Sequence, residues 1–172
     1  APWGVLAGVL LAFYALFAVL RWPTGAEWNT SLKRSASTGR FITSLIAGLV
    51  VVVGLWTAVM AAYRLAGVQL AHPDTWPGYL VRPLIMAAAM ELWLRGAAFA
   101  PLAQWRGNAS AIAVTTVLGM AFQAGLPPEA YAWTLVTGAL FGLIRSRTHS
   151  AAGLIVPHAL GAMLFATIAE VR

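Results

Sequence analysis

Residues 41–63 read FITSLIAGLVVVVGLWTAVMAAY, a stretch without a single charge. A helix needs about 20 apolar residues to cross the hydrocarbon core of a bilayer. This stretch supplies them around the run Leu49-Val50-Val51-Val52-Val53. The rest of the chain has the same character. Of its 172 residues 60% are apolar and 9% charged, where a soluble domain carries about 25% charged residues. That balance excludes a soluble globular domain and a disordered chain. The absence of Cys excludes a disulfide scaffold and a cysteine-ligated metal site. The expected fold class is all-α, an integral membrane bundle.

Five further segments qualify as spans, giving six in one membrane domain over residues 1–172. Residues 2–20 are uncharged and lack a basic n-region, so they read as a retained span and not as a signal peptide. Residues 79–105 contain Arg82, Glu91 and Arg95. Residues 109–125 follow Asn108, a residue type suited to capping a helix. Residues 130–144 follow Pro127-Pro128, and residues 151–171 enclose Pro157. The net charge of +6 is explained by topology and not by nucleic acid. Arg21, Lys33, Arg34, Arg40, Arg106, Arg145 and Arg147 fall in or beside loops one, three and five, which share a side. The positive-inside rule then places both termini outside the cytoplasm, and the expected location is a bacterial inner membrane. Trp3, Trp22, Trp76 and Trp105 fall near span ends, where indoles anchor. The polar loop WPTGAEWNTSLKRSASTGR, residues 22–40, reads as a solvated loop near anionic lipid, with partner docking as the alternative.

Ionisable groups inside a membrane are costly and mark function by default. Glu91 and Arg95 are four residues apart, a spacing at which an acid N-terminal to a base pairs on one helix face. They read either as a structural ion pair or as part of a catalytic or ligand-binding centre. His158 sits after Pro157, which should free a carbonyl one turn back, near Gly153-Leu154. Gln123 is a further polar group able to cross-link helices. His72 and His149 fall in loops. The pairs Gly4/Gly8 and Gly138/Gly142 allow close helix approach.

Taken in order, these residues resemble one family. Met90-Glu91-Leu92-Trp93-Leu94-Arg95-Gly96 is similar to the E-E-x-x-x-R-G motif of the CPBP family. These are the CAAX-prenyl-protease and bacteriocin-processing intramembrane proteins, also called Abi. Phe141 to Thr148, followed by Pro157-His158-Ala159-Leu160, resembles that family's closing helix, basic turn and last helix bearing H-x-x-x-N. The middle motif, F-x-x-x-H, aligns with Gly119 and Gln123. The resemblance spans residues 79–171.

The resemblance implies an intramembrane peptidase whose first glutamate activates a water. Here that position is Met90. Gln123 stands at the second-motif His and Ala162 at the Asn, while His158 is retained; Glu91 and Arg95 match supporting positions. A thioether cannot serve as a general base, and three metal ligands do not gather around His158. No metal and no cofactor is therefore expected. The leading expectation is a protein that has lost hydrolysis and acts as a scaffold or accessory subunit beside other membrane proteins, or binds a lipid or membrane-anchored peptide in the old cavity. An endopeptidase using Glu91 and His158 is the alternative. A pigment or cofactor ligated by His158 or Gln123 ranks third.

Overall fold

The computed structural model describes residues 37–67, 77–123 and 128–169; the expected span 2–20, the loop 22–36, His72 and the Gly4/Gly8 pair lie outside them. Helix α1, Thr38–Leu65, covers the opening stretch. Helix α2, Pro77–Met90, runs into a π-helical segment, Glu91–Ala98, which continues as α3, Phe99–Ala121. Helix α4 is Pro128–Thr148. A 3₁₀ turn, Ala152–Leu154, leads into α5, Ile155–Ala169. All regular elements among the described residues are helical.

Two stretches are long and apolar enough to cross a membrane, Thr38–Leu65 and Leu84–Ala121. The second is not straight. Gly107 has φ 82° and ψ 167°, a left-handed φ that glycine adopts without the Cβ clash other residues incur. The chain therefore breaks between the expected spans 79–105 and 109–125. Trp105 beside this break is exposed, and the Arg106 guanidinium lies 4.6 Å from its ring centroid.

Helix α1 buries one narrow stripe, Ser44, Gly48 and Val52, at a spacing of four. Ile42, Ile46, Val50 and Val53 point outward, as expected where the surroundings are as apolar as the side chains. The stripe meets Gly153, Pro157 and Gly161, also spaced by four. A Cβ on Gly153 would lie 2.6 Å from the Phe41 carbonyl oxygen, one on Gly48 would lie 2.7 Å from Pro157 Cγ, and one on Gly161 would lie 3.3 Å from Val52 Cγ2. Small residues thus set how closely α5 and its leading turn approach α1. The Ser44 hydroxyl fixes the register by donating to the Ser150 carbonyl at 3.0 Å.

Helices α3 and α4 approach through the expected glycine pair. A Cβ on Gly138 would come within 3.0 Å of Thr116, and one on Gly142 within 3.1 Å of Ile112. Val52, Phe141 and Leu154 join the two interfaces in one buried cluster, with Ile144, Leu160 and Leu164 packed against it.

The structure corrects one local expectation. Pro157 does not interrupt a continuous span, because α5 starts at Ile155 and Pro157 lies in its first turn. There an amide N–H has no intrahelical acceptor to lose. Gly153 and Leu154 belong to the preceding 3₁₀ turn and are not one turn back in the same helix.

Candidate functional site

The π-helical segment opens on Glu91 and carries Arg95 in its second half. Such segments are uncommon and often occur at functional positions. Glu91 is 0% exposed and Arg95 2%, so each needs a partner. Arg95 Nη1 donates to Glu91 Oε1 at 2.5 Å. Arg95 Nη2 donates to the Gly138 carbonyl at 3.2 Å, a contact open because Gly138 carries no side chain. The Phe141 ring lies 5.8 Å from the guanidinium carbon.

His158, in the first turn of α5, completes the cluster. Its Nδ1 lies 2.6 Å from the same Glu91 Oε1. A carboxylate there selects the tautomer with the proton on Nδ1, leaving Nε2 on the opposite edge of the ring. Glu91, Arg95 and His158, each singled out from the sequence, therefore form one connected unit drawn from two distant parts of the chain.

A cavity of about 170 Å³ lies beside this unit. Met90, Gln123, Ala162 and His158, the four positions matched to the family's polar centre, all line it, and so does Gly119. Arg95 contributes to the wall, and Val52, Trp133, Phe141 and Phe165 supply apolar surface. Glu91 is not among the lining residues. Met90 faces the cavity, and the next residue packs its carboxylate against Arg95.

The chemistry of the cavity is set by its walls. Its polar lining residues are Arg95, His158, Gln123, Thr134 and Thr137, with no carboxylate among them. Thr137 already donates to the Trp133 carbonyl at 2.7 Å. A metal ion would find His158 and Glu91, and among the described residues no group of three His, Cys, Asp or Glu gathers anywhere.

Sequence reasoning missed Arg145. Counted there as a loop cation, it lies in the last turns of α4 and is buried. Its Nε donates to the Arg95 carbonyl at 2.8 Å, and its guanidinium carbon lies 5.6 Å from the Phe99 ring centroid. It thus holds the backbone of the π-helical segment from outside. The only signal was its place in the segment similar to the family's closing motif. His149, by contrast, occupies the turn after α4 with φ 58° and does not line the cavity.

A family model described as type II CAAX prenyl endopeptidase Rce1-like matches residues 71–164, more than half of the chain. No curated protein and no solved structure matches the chain.

Proposed function

Because this chain belongs to the Rce1-like family of type II CAAX prenyl endopeptidases, a membrane-embedded family, we propose that it is a member that no longer hydrolyses peptides and retains the cavity as a binding site. The observation that carries this reading is the identity of the cavity wall. Hydrolysis needs a base within hydrogen-bond reach of the attacking water. Met90 stands where the resemblance expects the activating glutamate, and Gln123 and Ala162 replace the other polar groups beside His158. The carboxylate that does remain, Glu91, does not line the cavity, and its Oε1 is engaged by both Arg95 and His158.

On this reading the protein works inside a bilayer as a scaffold or accessory subunit. Its cavity holds a small apolar molecule or part of a lipid. The outward apolar residues of α1 suit contact with lipid or with helices of other subunits. A bacterial inner membrane, with both chain ends on the non-cytoplasmic side, fits the distribution of cations in the sequence.

One observation favours a second reading. A histidine oriented by a carboxylate at 2.6 Å can act as a general base through its other nitrogen. Glu91 and His158 would then drive hydrolysis without the missing glutamate. The deciding experiment is cleavage of a membrane-anchored peptide by the purified protein, with Glu91→Ala and His158→Ala as controls. The proposal expects no turnover. Turnover that either substitution abolishes would establish the second reading instead.

A further inference from the structure

The cavity's walls are specific about what they would accept, and the inference drawn from them rests on the non-hydrolytic reading above. Size comes first. A cavity of about 150 Å³ lined by aliphatic and aromatic side chains holds one benzene ring, and this one measures about 170 Å³. That volume is enough for a single six-membered ring with one or two substituents. The lining is aromatic: Trp133, Phe141 and Phe165 all contribute to it, and Trp133 and Phe165 pack on each other with ring centroids 5.7 Å apart. Flat aromatic walls favour a flat guest.

Charge comes next. The guanidinium of Arg95 is balanced in charge by Glu91, and Nη2 is held by Gly138, although Nε has no partner. The one charged group in the wall is thus paired before any guest enters. An anionic head would also lie close to the buried Glu91 carboxylate. Hydrogen bonding then decides the rest. A neutral His158 that donates from Nδ1 to Glu91 keeps Nε2 as an acceptor, on a residue that lines the cavity. A guest that covers this nitrogen either donates to it or leaves it unsatisfied.

We propose that the cavity binds a neutral single-ring head that donates one O–H, a phenol or hydroquinone-type ring, with His158 Nε2 accepting that hydrogen bond. The Gln123 amide, the other flexible polar group in the wall, is placed to contact a second ring oxygen where one is present.

The probes are 4-fluorophenol, 4-fluoroanisole and 4-fluorobenzoate, titrated into the purified protein in detergent and followed by fluorine NMR against a detergent blank. The phenol is expected to bind at least about fivefold more tightly than its methyl ether, because only the ether leaves Nε2 unsatisfied. The benzoate is expected to bind most weakly. His158→Phe keeps the ring and removes the acceptor, so the phenol should lose its advantage over the ether. Ala162→Leu places volume in the cavity without changing either charged residue of the pair and should weaken both neutral probes.

A para-alkylated phenol separates the two sources of such a head. Tighter binding than the bare phenol points to a membrane lipid, and equal binding points to a soluble phenol. Equal affinity for phenol and ether, preference for the benzoate, or binding indifferent to Ala162→Leu overturns the proposal. Peptide cleavage would overturn the non-hydrolytic reading without changing the phenol-to-ether ratio, so the two failures are distinguishable.

Discussion

Glu91 and His158 stand 67 positions apart in the chain, yet one carboxylate oxygen lies 2.6 Å from the imidazole Nδ1. The same oxygen accepts from Arg95. A single buried acid therefore ties the π-helical segment to the first turn of α5 and sets the orientation of the histidine at the cavity.

Removing that acid should be costly. Glu91→Gln leaves the buried Arg95 guanidinium without its counter-charge, and breaking one side of a buried pair costs about 3–5 kcal/mol. Denaturant unfolding in detergent should show a loss of this order. The double substitution Glu91→Leu with Arg95→Met should recover much of it, because both charges then disappear together.

Arg145 should behave as a structural residue. Arg145→Ala removes the bond to the Arg95 carbonyl and the contact with Phe99, so the midpoint of unfolding should fall by an amount corresponding to about 1–3 kcal/mol. Arg147→Ala, which removes an exposed cation of the same helix, should change stability by less than about 0.5 kcal/mol. Equal effects of the two would contradict a supporting role for Arg145.

The glycines should rank by what faces them. Gly153→Ala drives a methyl group toward the backbone of α1 at 2.6 Å, which only a shift of the turn can relieve, and overpacking of this kind costs about 1–3 kcal/mol. Gly119→Ala meets nothing nearer than 3.6 Å and should be tolerated. Thermal unfolding of the two variants side by side tests the order.

Ser44→Ala should cost about 1 kcal/mol, the worth of one net hydrogen bond. It deletes the donor to Ser150 at the junction of α1 and the turn before α5. Hydrogen exchange at residues 150–154 should rise in the variant and stay unchanged in α3.

Much of this arrangement was readable in advance. The opening stretch of α1 could be read as a long helix from hydropathy alone, since it is apolar enough and long enough to cross a membrane. The pairing of Glu91 with Arg95 followed from their spacing and from the cost of leaving either alone in an apolar interior. The Gly138/Gly142 pair announced the α3–α4 contact. Other features were not legible for physical reasons. The stripe Ser44, Gly48 and Val52 meets Gly153, Pro157 and Gly161, and neither half signals its partner because small residues occur throughout the chain. The burial of Arg145 depends on a carbonyl freed for bonding in a distant helix, which no local pattern records. Pro157 looked like a mid-span break because the 3₁₀ turn ahead of α5 has the same apolar composition as a helix.

The π-helical segment carries one more consequence. An α-helix advances about 100° per residue, whereas the wider coil of Glu91–Ala98 advances less and so sets an angular offset between α2 and α3. The segment acts as a phase adjuster: it lets the cavity-facing half of a long helix and its distal half keep separate alignments with their neighbours.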